Sequence, residues 1–202
     1  ARREPQPKRR WRWRWTAETA RVMFNRQPYL ESTALSLRPL MADDLEGLFT
    51  AASDPLTWAD HPAHDRYQKA VFQNYFEVLL NVGGTLVIID KSTDKIIGCS
   101  AYYTAPDRPD TISIGFTFLH HSYWGGKTNF AAKSLMLAHA FAHFPEVWFH
   151  IGPQNIRSQT ATTRLGAEWI EDATLNLGGT PAPWKTYKLT QAAWEKRSHF
   201  TS

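Results

Sequence analysis

The stretch of this chain best suited to chemistry is Tyr123-Trp124-Gly125-Gly126-Lys127-Thr128-Asn129. It follows an alternating apolar run, Thr111 to Leu119, that predicts a strand, and it precedes a segment with helical spacing from Asn129 to Phe144. A strand, a glycine turn and a helix start together make a cradle for anions. The first backbone N–H groups of the helix have no partner within it, and the helix dipole adds partial positive charge there. Taken alone, Gly126-Lys127-Thr128 invites nucleotide phosphates and Mg²⁺. That motif requires a glycine five residues before the Gly-Lys pair, and His121 stands at that position.

Other reactive side chains are sparser. Asn155 precedes a short helical segment that Gly166 closes, so it reads as an N-cap, with Arg157 and Ser158 in the first turn behind it. His139 and His143 share one helical face, but no nearby Glu and no third ligand accompanies them, so no metal site is expected. His120 and His121 lie just before the glycine turn. Trp58 and Trp184 stand in or beside loops, where an aromatic serves equally as core or as the wall of a site. The single cysteine, Cys99, falls in an apolar run and has no internal disulfide partner, which fits a reducing, cytoplasmic compartment.

The elements that must position these residues follow from periodicity. Ala34 to Leu40 predicts a strand, Met41 to Ser53 a helix ended by Asp54-Pro55, and residues 65–81 a second helix with Val71, Phe72, Tyr75, Phe76, Leu79 and Leu80 at helical spacing. Thr85–Asp90, Lys95–Thr104 and Thr111–Leu119 are joined by short polar links and predict an antiparallel meander. After the third helix, Val147–Ile151 predicts a fifth strand, Asn155 opens the fourth helix, and Glu168–Leu177 with Trp184–Leu189 predict a closing hairpin. The order is βααβββαβαββ, one α/β domain over 34–190, followed by a C-terminal helix or tail over 191–202.

Element order and residues together carry a resemblance. Over about 34–190 the chain resembles the GNAT superfamily of CoA-dependent N-acetyltransferases, in its RimJ/RimL-like ribosomal-protein acetyltransferase branch. The matching pieces are Leu37-Arg-Pro-Leu40, Ile114-Gly-Phe116, Tyr123-Trp-Gly125 before a helix, Asn155-Ile-Arg-Ser158 and Leu165-Gly-Ala167. The resemblance implies a mixed, mostly antiparallel sheet of about seven strands with four main helices, whose fourth and fifth strands splay apart. The co-substrate it implies is acetyl-CoA, with no metal. Its pantetheine would lie between the splayed strands near Phe116, Thr117 and Phe118, and its pyrophosphate over Trp124, Gly125, Gly126, Lys127, Thr128 and Asn129. Asn155 and Arg157 would add CoA contacts. Ser158 would protonate the departing thiolate, because the family's usual tyrosine position holds Thr162. Trp58 and Trp184 would flank the acceptor.

Two departures from the family pattern stand out. The phosphate loop usually reads Arg/Gln-x-x-Gly-x-Gly/Ala, and here Lys127 and Asn129 take the last glycine positions. A subset of RimJ/RimL-like proteins shares that asparagine and a lysine four residues on, Lys133 here. Many relatives also carry a glutamate base two residues before the strand glycine, where Ser113 stands. A peptide α-amine has a pKa of about 7.7–8.0, so roughly a tenth is neutral at pH 7, and proton loss through water or through Asp110, Glu168 or His150 would suffice. The implied acceptor is a ribosomal or other protein N-terminus, with a small amine such as an antibiotic or polyamine as the alternative, and a non-catalytic acyl-CoA sensor as the rival function. The resemblance fits a monomer or a homodimer.

Charge divides the chain unevenly. Residues 1–33 hold nine Lys/Arg against three Asp/Glu, and the remaining fourteen and sixteen leave the body slightly acidic. That argues against a nucleic-acid footprint on the body. The Arg/Trp-rich tail within 1–33 is the only stretch suited to nucleic acid or a membrane surface. Its other reading is an upstream or expression-derived extension, with Met23 as the start. No apolar run approaches the roughly 20 residues of a membrane helix.

Overall fold

The protein, described by a computed structural model over residues 24–177 and 179–198, is one eight-stranded sheet with helices on both faces. The strands are β1 Leu30–Glu31, β2 Leu35–Pro39, β3 Thr85–Asp90, β4 Lys95–Tyr103, β5 Ile112–Leu119, β6 Glu146–Ile151, β7 Glu168–Leu175 and β8 Ala182–Thr190. The helices are α1 Leu45–Ala52, α2 Lys69–Asn81, α3 Thr128–Phe141, α4 Ile156–Arg164 and α5 Gln191–Ser198. The eighth strand beyond the expected seven is β1, a two-residue edge pairing Leu30 with Leu37. Gln191–Ser198 forms a fifth helix, docked by the buried Trp194.

Phe24, ahead of the boundary expected at residue 34, packs into the core of the body. Its ring is buried among Tyr102, His139, His143 and Phe144, with centroids 4.9–5.5 Å away. The packed body therefore already includes residue 24. The Arg/Trp run lies outside the described residues. Among the described residues no helix is long and apolar enough to cross a membrane.

The sheet order β1-β2-β3-β4-β5-β6-β8-β7 is antiparallel except between β5 and β6. Period-2 alternation sends Leu86 and Ile88 to one face and Val87 to the other. The first face is covered by Met136, Leu137 and Ala140 of α3 and by Trp194 of α5. The second is covered by Leu48 and Ala51 of α1 and by Phe72, Tyr75, Phe76 and Leu79 of α2, spaced to form one helical stripe. The Leu-Arg-Pro-Leu segment has a structural task. Arg38 donates to both carboxylate oxygens of Asp44, at 2.8 and 2.7 Å, and Asp44 in turn accepts from the Met41 N–H at 2.8 Å. This fork pins the end of β2 to the 3₁₀ turn Ala42–Asp44 that feeds α1.

Two irregularities open the middle of the sheet. β5 and β6 pair only at Ile112↔Val147 and Ser113↔Trp148, whereas β6 stays paired with β8 as far as Ile151. From Gly115 to Leu119, β5 therefore runs free of β6, which is the expected splay. Along the same stretch the β4–β5 register shifts between Cys99 and Ala101, and Phe116 takes φ +50°. A non-glycine residue in that region is uncommon, and here it marks a bulge that turns backbone groups out of the ladder.

Candidate active site

The glycine turn stands at the end of the free part of β5, and side chains anchor it firmly. The Trp124 indole donates to the Leu119 carbonyl at 2.9 Å, and the Tyr123 hydroxyl donates to Asp90 at 2.9 Å. His121 meets Asp54 at 2.9 Å, which ties the loop after α1 to the turn. Asp54, His120 and His121 offer ligand atoms within 4.8 Å of one another, but that pairing already engages two of them.

Gly125 has φ +71°, and a Cβ on Gly125 or Gly126 would meet open space. No side chain caps α3, its first turn carries no acidic residue, and its first closed turn is the Ala131 N–H to the Lys127 carbonyl at 2.8 Å. The N–H groups ahead of Ala131 are thus left for a ligand or for water. Lys127 is exposed and Thr128 and Asn129 half-buried at this mouth.

α4 closes the far side. The Arg157 guanidinium lies 3.5 Å over the Trp124 ring and so joins the start of α4 to the cradle. Burial lowers its pKa, and Asp60 partly offsets that effect. Asn155 is the N-cap read from sequence, its Oδ1 accepting from the Ser158 N–H at 3.1 Å. The Ser158 hydroxyl has no hydrogen-bond partner among the described residues. Trp124, Arg157, Asn155 and Ser158 are thereby brought together, while on the bulge Thr117 meets Lys133 of α3 and Phe116 packs on the opposite face of the sheet.

Other expectations change on contact with the structure. Trp58 is not an open wall: it is 1% exposed, its indole donates to the Ala52 carbonyl at 2.7 Å, and its ring packs 5.0 Å from Phe118. Phe118 is likewise a core residue, so only its backbone can face a ligand. Trp184 is half-buried and donates to the Leu175 carbonyl at 3.1 Å, bracing the β7–β8 hairpin. Glu168 opens β7 on the outer edge of the sheet, away from the splay, and Asp110 lies in the exposed loop before β5. His139 and His143 pack around Phe24, and His139 meets the Asn25 carbonyl at 2.8 Å.

Sequence reasoning missed a buried amine. Lys133 of α3 reaches beneath the bulge and donates to Thr117 Oγ1 at 2.6 Å and Ser100 Oγ at 2.9 Å, with those two hydroxyls 2.7 Å apart. Burial pulls its pKa down to about 7, with Cys99 a weaker opposing influence. An unfolded lysine titrates near 10.4, so between about pH 7 and 10.4 the unfolded chain binds more protons and stability rises with pH. Lys133→Met removes that slope, which is at most about 1.4 kcal/mol per pH unit. The Tm of Lys133→Met minus that of the wild type should therefore be largest near pH 7 and shrink towards pH 10. A gap that does not change with pH contradicts a depressed Lys133.

Comparison with known proteins now decides the family. The profile described as Acetyltransferase (GNAT) domain matches residues 34–168, most of the chain. The protein belongs to the GNAT acetyltransferase family. Solved GNAT-type folds superpose on it. A GCN5-related N-acetyltransferase from Brucella melitensis gives a TM-score of 0.72 at 16% identity, covering 87% of this chain and 84% of that one. A GNAT-family acetyltransferase from Bacillus anthracis gives 0.62 at 15%, covering 82% and 99%. Mycobacterium smegmatis RimJ in complex with CoA-disulfide gives 0.61 at 15%, covering 86% and 93%. At such identities the likeness establishes the fold, and the family profile carries the activity: a GNAT N-acetyltransferase, from a family that uses acetyl-CoA. Comparison with curated proteins returns no match.

Proposed function

We propose that this GNAT acetyltransferase moves the acetyl group of acetyl-CoA onto the α-amine of a protein N-terminus, by direct attack within a ternary complex. The observation that carries the reading is the splay. β5 leaves β6 just after Ser113, bulges at Phe116, and ends at a glycine turn whose helix start carries uncapped N–H groups. The pyrophosphate of acetyl-CoA fits over Gly125 to Asn129, where a Cβ on Gly125 or Gly126 would find open space, and Arg157, stacked on Trp124, borders it, with Asn155 as a further CoA contact. The pantetheine takes the place of a strand between β5 and β6. A backbone N–H released at Phe116–Phe118 polarises the thioester carbonyl.

In the transfer, the amine nitrogen forms a bond to the carbonyl carbon and the carbon–sulfur bond breaks. The amine loses a proton and the thiolate sulfur gains one. Ser158 supplies that proton and is restored by the one the amine releases, since its hydroxyl is uncommitted on the helix that stacks against the cradle. The resemblance to the RimJ/RimL-like branch favours a protein N-terminus over a small amine.

The test measures release of the CoA thiol from acetyl-CoA with short peptides bearing a free N-terminal Ala or Ser, against spermidine and an aminoglycoside. Peptide-dependent release is expected. Preference for the small amines overturns the acceptor, and binding without release across the whole panel favours an acyl-CoA sensor. Ser158→Ala should lower kcat about 10²-fold with acetyl-CoA affinity unchanged, and a wild-type rate removes Ser158 from the mechanism.

A further inference from the structure

Tyr103 of β4 and His150 of β6 are hydrogen-bonded at 2.8 Å, although β5 lies between their strands. In register, Tyr103 faces Ser113 and Ser113 faces Trp148, so β5–β6 pairing stops immediately beside this pair. The tyrosine ring crosses β5 at Gly115, where a Cβ would stand 2.8 Å from Tyr103 Cε1. Only glycine admits the crossing. The Phe116 ring on the bulge then meets the Tyr103 ring edge-on at 5.4 Å. The bond thus bridges the mouth of the splay on the sheet face opposite α3.

Around it lies a concentration of unmet polar atoms. The buried side-chain atoms without a hydrogen-bond partner, among the described residues, are Arg108 Nε, Ser113 Oγ, His150 Nε2 and Thr186 Oγ1. Thr186 pairs with His150 in register, Ser113 with Tyr103, and Arg108 lies 3.8 Å over the ring of Trp148. Buried polar groups are nearly always partnered. Arg108 Nε and His150 Nε2 both face the Asp107 carboxylate, at 3.5 and 3.7 Å, which leaves the Ser113 and Thr186 hydroxyls beside the Tyr103–His150 pair for a polar guest.

We propose that Tyr103 receives the proton of the attacking amine and passes its own to His150, replacing the carboxylate that Ser113 does not supply. The ammonium form of the acceptor gives one N–H proton to Tyr103 Oη while the tyrosine O–H proton moves to His150 Nδ1. The lone pair so freed forms the C–N bond, the C–S bond breaks, and the second proton lost by the nitrogen balances the one that Ser158 gives to the departing thiolate. The imidazolium so formed faces Asp107, whose carboxylate stands 3.7 Å from Nε2. The charged groups around His150 are Asp107 and Arg108 of the covering loop. Tyr103 faces it from β4, while Ser113 and Thr186 contribute only hydroxyls from β5 and β8. Farther out, Glu171 pairs with Arg108, and Lys188 lies over Trp148. Burial lowers the His150 pKa, Asp107 raises it and Arg108 lowers it again, so the imidazole rests neutral and able to accept. Burial raises that of Tyr103, so its hydroxyl works only by taking one proton as it gives another.

Tyr103 is on this reading a catalytic residue and His150 a positioning and relay residue. The inference rests on the acetyl-transfer reading, and the experiment separates the two. kcat/KM is measured from pH 6 to 9.5 with acetyl-CoA and an Ala-first or Ser-first peptide for wild type, Tyr103→Phe and His150→Gln. Both variants should lose about 10²-fold at pH 7, with the acetyl-CoA KM unchanged. The deficit should shrink towards pH 9.5, where the amine is already neutral. A deficit equal at every pH, or none, overturns the relay alone, while absence of wild-type turnover removes both readings. Should the variants fail to fold, ¹⁵N NMR of the wild-type imidazole decides. The neutral ring protonated on Nε2 is expected, and protonation on Nδ1 overturns the relay.

Discussion

Gly126→Asp is expected to weaken acetyl-CoA binding by about 100-fold while leaving the fold intact. That loss corresponds to about 2.7 kcal/mol. Setting like charges against each other costs several kcal/mol when they cannot separate, and a carboxylate at residue 126 would stand where the pyrophosphate is placed. The fold should tolerate it, because Gly126 is exposed, lies outside the left-handed region, and has open space where a Cβ would go. Gly126→Asn supplies the same shape without the charge and should stay within about threefold of wild type, a difference under ~1 kcal/mol. Titration calorimetry of the three proteins separates charge from shape. Equal affinities for the Asp and Asn variants would remove the pyrophosphate from this turn.

The largest effect on stability is expected at Gly98. This glycine sits in β4 with φ +156°, opposite Leu119, and a Cβ there would be 2.1 Å from the Phe118 carbonyl oxygen. That oxygen is backbone and cannot yield without breaking the β4–β5 ladder. Gly98→Ala should therefore cost about 4 kcal/mol, roughly 8–16 °C in Tm for a domain of this size. Gly126→Ala, with nothing to meet, should change Tm by about 2 °C or less. The functional consequence is local. Gly98 backs the strand segment that carries the bulge, so any Gly98→Ala protein that folds should bind acetyl-CoA poorly. A Gly98→Ala Tm within about 2 °C of wild type would show that β4 and β5 are not packed this closely.

The parts of the fold legible in sequence were those written in local periodicity. The stripe of α2, the meander β3–β5, the Asn155 cap and the glycine turn before α3 each lie within a short window, and the structure reproduces them to within a few residues. β1 escaped notice because two residues show no period, and Phe24 because its partners are dozens of residues away. The Lys133, Thr117 and Ser100 group is likewise invisible in one dimension. It forms because a bulge in β5 turns Thr117 inward beneath a helix packed on the sheet. Tyr103 and His150 meet only through a register that stops at Ser113 and a glycine that lets one ring cross a strand. Trp58 was ambiguous for a simpler reason: an aromatic in a loop suits core and wall alike, and the packing of α1 and α2 over it makes it core.

The most direct measurement is the thermal shift of the protein with acetyl-CoA. At a hundredfold excess over Kd, binding should add about 2.7 kcal/mol, or roughly 5–11 °C in Tm for a chain of this length, and the shift should be largely lost in Gly126→Asp. No shift with acetyl-CoA or any other acyl-CoA would contradict the placement of the co-substrate in the cradle and the splay.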